Sequence, residues 1–195
     1  MRIERRENAE PDTAKLRESL DDILRSGKMP VCTPRCPKAA ERTCSRHCPH
    51  IAQMLSSDPE NYPLETRIVP LAYELKNLGA FTPCWSCEGH NAPNGDLWKV
   101  PRVWFYCEST AQLRVLSEAL KSLHLSGALK TPWRIAVTHS DDDNFDATFS
   151  LEPALGETPV PLATLQRDVD TIAEQLRAAV MAATRRLSRN TLSRG

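Results

Sequence analysis

The fold class of this chain is most evident in residues 102–127, which read RVWFYCESTAQLRVLSEALKSLHLSG. The unbroken apolar run over 103–107 is typical of a strand that is buried on both faces. Ser109 and Gln112 follow with the spacing of a capping box, in which each side chain bonds the other residue's backbone at the start of a helix. Every third or fourth residue from 113 to 123 is then leucine, and Gly127 follows. The segment therefore predicts a strand followed by an amphipathic helix.

Towards the C-terminus the sequence predicts two more strands and a long helix. Apolar residues alternate with other residues over 133–137 and over 145–151, which is a strand pattern. The polar run at 140–144 indicates a hairpin loop, so we expect these two strands to be antiparallel. The longest helix follows Pro161, with apolar residues at helical spacing from Leu165 to Leu187. The order β-α-β-β-α predicts an α+β fold, with a small mixed or antiparallel sheet and helices on one face.

The chain before residue 80 has a different composition. Amphipathic helices are predicted over 12–26, over 49–55 and around 71–78. Prolines at 30, 34 and 37 exclude a long helix between the first two, where four cysteines lie. We therefore divide the chain into a helical, cysteine-rich, metal-binding segment at 1–79 and an α+β domain at 80–195.

The composition disfavours a protein that binds nucleic acid or anionic lipid, spans a membrane or is secreted. The 195 residues include 25 basic and 25 acidic side chains, so the whole chain has no net attraction to nucleic acid or anionic lipid. No apolar run is long enough to span a membrane, and residues 1–8 lack the apolar core of a secretory signal. We therefore expect a cytoplasmic protein, whose seven cysteines bind metal or carry out redox chemistry rather than form disulfides.

A C-x2-C-x2-H motif at Cys84, Cys87 and His90 is the first candidate metal site. Two thiolates this close in sequence can aim at one ion, and Gly89 lets the chain bend so that the imidazole joins them. Cys107, after the next predicted strand, is a candidate fourth ligand that would close the site, whereas an open fourth position is typical of a catalytic zinc. A redox pair and ordinary buried thiols are the competing interpretations.

Four more cysteines form the second candidate site: Cys32, Cys36, Cys44 and Cys48. They have the number of sulfurs that a closed four-sulfur zinc site needs, and zinc is the expected metal. Prolines directly after the second and fourth cysteine are also found after ligands of iron–sulfur clusters, so such a cluster is the alternative. A disulfide-linked hairpin would require an oxidising compartment.

Three other features bear on function. Glu88 lies beside a predicted ligand and is the candidate proton carrier if the site is catalytic. Trp85 lies between two predicted ligands and is the aromatic side chain most suited to face a substrate or a partner. The acidic run at 141–143 with Asp146 is interpreted as a solvated hairpin loop rather than as a magnesium site.

These observations favour a zinc protein that acts as a binding or accessory module for a macromolecular partner, most naturally another protein. The balanced charge disfavours nucleic acid, and nothing indicates a membrane. The alternatives are a metalloenzyme with an open Cys2His site, or an iron–sulfur or thiol redox protein. Whether the chain is an enzyme depends on the fourth position around the Cys84, Cys87 and His90 metal.

Overall fold

The computed structural model describes residues 13–25, 49–138 and 147–192. Three helices come first, α1 (Thr13–Arg25), α2 (Pro49–Leu55) and α3 (Val69–Asn77). The strands β1 (Thr82–Asn91) and β2 (Leu97–Tyr106) follow, and then α4 (Thr110–Leu125). The strands β3 (Trp133–Thr138) and β4 (Thr148–Pro153) precede the long helix α5 (Leu162–Leu192). The predicted α+β class is confirmed, whereas the four cysteines of the segment at 1–79 lie outside the described residues.

The sheet has four strands in the order β1-β2-β4-β3, and every neighbouring pair is antiparallel. The antiparallel pairing of β3 with β4 agrees with the predicted hairpin. The predicted order β-α-β-β-α omitted β1 and is wrong in this respect. The segment contains Pro83, Gly89 and Asn91, three residue types that are rare in strands. Local propensity therefore did not predict a strand here.

Pairing with β2 explains why β1 is nevertheless a strand. The two are joined by the Pro93–Asp96 turn, in which the N–H of Ala92 donates to the Asp96 carbonyl at 2.7 Å. Across the pair, Trp85 packs on Trp104 with ring centroids 4.7 Å apart. Aromatic cross-strand contacts of this kind stabilise a strand pair whatever the local propensity.

The prediction that residues 103–107 are buried on both faces needs correction. Val103 and Phe105 are fully buried, whereas Trp104 and Tyr106 are half-buried. The first pair faces the helices and the second pair faces the other side of the sheet, which is the usual one-sided burial of an antiparallel sheet.

The larger of two hydrophobic clusters in the described residues joins α1, α3, α4 and α5 to the sheet, and α2 packs on α3 in the smaller one. The larger cluster contains side chains from α1 and α3 as well as from the strands, α4 and α5, among them Leu20, Ile23, Leu71, Leu75, Val103, Phe105, Leu116, Leu120, Leu151, Ile172 and Leu176. The residues on either side of the predicted boundary at 79/80 thus pack into the same core. The capping box at the start of α4 is present, because Ser109 accepts from the N–H of Gln112 and the Gln112 side chain accepts from the N–H of Ser109.

A buried carboxylate fixes α5 against the start of β3. Asp168 is 2 % exposed, and it accepts hydrogen bonds from the N–H groups of Lys130 and Thr131 at 2.9 Å. The indole N–H of Trp133 donates to the same carboxylate at 3.4 Å. A buried charge is tolerated when its oxygens are hydrogen-bonded in this way, so α5 and β3 have a defined relative position.

Gly89 brings α5 into contact with the edge strand β1. Its φ is +83°, a backbone conformation that side chains with a Cβ rarely adopt. A Cβ at this position would lie 2.7 Å from Leu162 Cδ1 and 2.8 Å from Pro101 Cδ. The first turn of α5 can approach β1 so closely only because residue 89 is glycine.

We predict that Gly89→Ala destabilises the protein more than Gly95→Ala does. Gly95 also has a positive φ, at +90°, but a Cβ there meets nothing within 4 Å. The control should therefore cost only the backbone strain, about 1–2 kcal/mol. Gly89→Ala should cost about 1–3 kcal/mol more, because Leu162 and Pro101 must move. If urea unfolding shows the same loss of stability for both variants, the approach of α5 to residue 89 does not require glycine.

Candidate metal centre

Two of the predicted ligands and one residue that the motif did not include come together at the edge of the sheet. Cys87 and His90 lie on β1, and Glu65 lies in the loop before α3. Their ligand atoms, one thiol sulfur, one imidazole nitrogen and one carboxylate oxygen, all lie within 4.8 Å of one another. Among the described residues this is the group of metal-ligating side chains close enough to share an ion.

Glu65 is held firmly in this position. One of its carboxylate oxygens lies 2.8 Å from His90 Nε2, and the other accepts the backbone N–H of Glu88 at 2.7 Å. The sequence offered no sign of this role, because Glu65 lies outside the C-x2-C-x2-H motif and reaches it only through the tertiary fold.

Gly89 lies between Cys87 and His90 on β1 and contributes to their convergence. In a regular strand, residues three apart point to opposite faces of the sheet. The positive φ of Gly89 interrupts that geometry between Cys87 and His90. The glycine thus has the unusual backbone conformation that its place between Cys87 and His90 suggested, although the pairing register with β2 continues across it.

Glu88 has a different position from the one that acid–base chemistry requires. Its carboxylate accepts the backbone N–H of Arg67 at 2.9 Å, and its carbonyl accepts from the Gln166 side chain at 3.2 Å. Glu88 does not line the cavity that Cys87 and His90 border. Glu88 thus positions the loop before α3 and the start of α5 on β1, and nothing in its contacts supports a role as proton carrier.

The environment of Cys87 favours a neutral thiol when no cation is bound. The residue is 4 % exposed, and this burial raises the pKa of its thiol. A hydrogen bond from the Gly89 backbone lowers the pKa, whereas the nearby Glu65 carboxylate raises it. A buried thiol beside a carboxylate loses its proton readily only when a cation binds the sulfur and the proton is released to solvent, so this environment suits a metal ligand better than a free nucleophile.

Cys84 lies apart from this three-residue group. It occupies the position where the register between β1 and β2 shifts, between Pro83 and Trp85, and it is exposed. Such a shift re-aims a side chain relative to its neighbours. Cys84 nevertheless lines the same cavity as Cys87 and His90.

The cavity beside the centre has a volume of about 820 Å³. Its walls come from the loop after α2, from α3 and from the β1–β2 edge, and they include Ser56, Tyr62, Glu65, Lys76, Cys84, Trp85, Cys87, His90 and Lys99. This volume is in the range of about 300–1,000 Å³ that is usual for small-molecule sites. The three clustered side chains thus face a space large enough for a ligand.

Cys107 lies at the other end of the strand pair. Cys87 is paired with Arg102 on β2, and Cys107 lies five residues after Arg102. At about 3.4 Å per residue, Cys87 and Cys107 are therefore about 17 Å apart along the strands. The Cys107 thiol donates to the Ser109 carbonyl at 3.7 Å and borders a different cavity. The structure therefore does not bring Cys107 to the centre as a fourth ligand.

The remaining candidate residues lie outside the described part of the chain. This applies to Cys32, Cys36, Cys44 and Cys48, and also to the acidic loop at 141–146. The four-sulfur site and its choice between zinc and an iron–sulfur cluster stay predictions.

Comparison with known proteins places this chain in no group. No family model, no curated protein and no solved structure matches it. Among the described helices none is long and apolar enough to cross a membrane.

The Cys107 thiol should be slow to alkylate in the folded protein. Burial raises its pKa from 9.0 to about 11, so at pH 8 the thiolate is about 100-fold scarcer than in the unfolded chain. Iodoacetamide labelling followed by peptide mass spectrometry, in buffer and in urea, measures both rates. The folded state binds this proton more tightly than the unfolded chain does. The contribution of this difference to the stability of the folded state is therefore intact below pH 9 and is lost between pH 9 and about 11. Equal labelling rates in both states would contradict the burial of this thiol.

Proposed function

We propose that this protein binds zinc through Glu65, Cys87 and His90, and that it is a metalloenzyme whose substrate enters the adjoining cavity. The observation that carries the proposal is the convergence of these three ligand atoms within 4.8 Å at the wall of a cavity of about 820 Å³. Three protein ligands with the fourth position left to water or substrate are characteristic of catalytic zinc, whereas structural sites are closed by four.

The donor set fits zinc better than a harder cation. Thiolate and imidazole are preferred ligands of zinc, whereas magnesium and calcium prefer oxygen. A zinc ion held here would supply a Lewis acid and lower the pKa of a bound water, which is the chemistry of metal-assisted hydrolysis. Glu88, through its bond from the Arg67 N–H, would keep the loop that carries Glu65 in place.

Two other functions use the same three residues. A cysteine–histidine–glutamate triad would make Cys87 a nucleophile, with Glu65 orienting His90 at 2.8 Å. The raised pKa of the buried Cys87 thiol counts against this, because an activated nucleophile needs a lowered one. A binding module for a protein partner, which the sequence alone favours, would use a purely structural metal, and the open cavity beside the centre counts against that.

The proposal predicts that Cys87→Ser or His90→Ala removes one zinc per chain. The matched control is Cys107→Ser, which removes a thiol that lies about 17 Å away at the other end of the strand pair. Zinc would be counted by inductively coupled plasma mass spectrometry after dialysis against a weak chelator. Any metal bound by the four N-terminal cysteines is the same in all variants, so only the difference between variants matters.

Glu65→Gln tests whether Glu65 is a metal ligand. The amide keeps a hydrogen bond to His90 but is a poor metal ligand, so zinc affinity should fall at least 10-fold, as loss of a ligand or of its immediate support does. A variant that binds zinc as tightly as the wild type would remove Glu65 from the ligand set. Unchanged zinc content in the Cys87 and His90 variants would overturn the metal site as a whole and leave the triad as the better account.

A further inference from the structure

The cavity beside the proposed metal centre has an excess of positive charge. Lys76 from α3 and Lys99 from β2 both line it, and Glu65 is the acidic residue among the lining side chains. Two ammonium groups against one carboxylate leave one positive charge in excess. A divalent ion bound with the Cys87 thiolate adds one more, so the cavity is more positive when the metal is present.

Neither lysine is neutralised by a partner within the described residues. Lys76 and Lys99 take part in none of the ion pairs found there. Lys99 Nζ lies 4.3 Å from the ring centroid of Trp98, a cation–π contact that positions the ammonium group without supplying a counter-charge. Within the described residues neither ammonium group has a counter-charge, which suits the binding of an anionic ligand.

Two exposed aromatic side chains lie on the same walls. Trp85 is 45 % exposed and Tyr62 is 76 % exposed, although both are large and apolar enough to be buried in most proteins. Trp85 is supported from behind by Trp104, and the Arg102 guanidinium lies 6.0 Å from the Trp85 ring centroid. A ring supported in this way offers a fixed flat surface, which costs little entropy when another ring stacks on it.

We propose that this cavity binds a small anionic molecule with a planar aromatic ring. The ring stacks on Trp85 beside Tyr62, and the anionic group lies between Lys76, Lys99 and the metal centre. The proposal deepens the zinc-dependent function and rests on it for the contribution of the metal. The required chemistry, a flat ring and a phosphate or carboxylate, is found in nucleotides and in aromatic acids. A long nucleic acid is disfavoured because the chain as a whole has no net charge.

Isothermal titration calorimetry in low-salt buffer tests both parts of this chemistry. Adenosine 5′-monophosphate and 1-naphthoate carry a ring and an anion, whereas adenosine lacks the anion and ribose 5-phosphate lacks the ring. We expect the zinc-loaded protein to bind adenosine 5′-monophosphate or 1-naphthoate at least 10-fold more tightly than it binds adenosine or ribose 5-phosphate. Tighter binding of adenosine 5′-monophosphate would indicate a nucleotide ligand, and tighter binding of 1-naphthoate would indicate an aromatic acid.

The variants Lys76→Gln, Lys99→Gln and Trp85→Ala should each weaken that binding about 10-fold. The matched control is Lys121→Gln, which removes an exposed lysine on α4 that does not line the cavity and should leave the affinity unchanged. Thermal unfolding followed by circular dichroism would show that each variant is folded. Failure of the zinc-loaded protein to bind either aromatic anion at 5 mM, or unchanged binding by the Lys76→Gln/Lys99→Gln double variant, overturns the proposal.

The tests of anion binding and of zinc binding can fail independently of each other. If no zinc binds but the lysine variants still lose the aromatic anion, the metal site is wrong and the anion site stands. If zinc binds stoichiometrically and no aromatic anion binds, the metal site stands and the anion site is wrong. Removal of zinc should weaken anion binding several-fold without abolishing it, because the two lysines remain.

Discussion

The geometry of this protein depends on the close approach of α5 to the edge strand β1 at Gly89. The start of α5 reaches the strand because nothing larger than hydrogen projects from residue 89 towards Leu162 and Pro101. One turn further along α5, Gln166 bonds the carbonyl of Glu88. The same short stretch of β1 then carries Cys87, which precedes these contacts, and His90, which follows them. A local backbone requirement thus influences both the packing of the longest helix and the relative placement of Cys87 and His90.

Two hydrogen bonds connect the loop before α3 to β1 and bring Glu65 to the candidate centre. Glu65 accepts the N–H of Glu88, and Glu88 accepts the N–H of Arg67. The Arg67 side chain continues the connection by pairing with Asp170 on α5 at 3.2 Å. Each of these bonds is exposed or half-buried and contributes modestly to stability, but together they hold Glu65 Oε1 at 2.8 Å from His90 Nε2. Glu88 therefore acts mainly to hold in place the loop that carries Glu65.

The sequence predicted the parts of the fold that local patterns determine. The capping box of α4, the spacing of its leucines and the apolar alternation of β3 each depend on residues a few positions apart, and they are where the patterns placed them. The strand β1 could not be found in this way, because its stability comes from Trp104 and the rest of β2 across the sheet. Glu65 and Asp168 were missed for the same reason, since each acts on residues more than twenty positions away. The motif itself contained Cys87 and His90, which the fold brings together with Glu65, and the glycine between them has a positive φ. The shift of register at Cys84 left no local sign.

We propose that Glu65, Cys87 and His90 bind one metal ion at the edge of the sheet, beside the cavity. Anomalous diffraction from a zinc-soaked crystal, recorded on both sides of the zinc absorption edge, would locate this ion. We expect an anomalous peak about 2.0–2.3 Å from the Cys87 sulfur, a His90 nitrogen and a Glu65 oxygen, with the remaining position facing the cavity. A peak held by four protein ligands would contradict the open centre, and a zinc-bound crystal with no peak among these three side chains would contradict the claim itself.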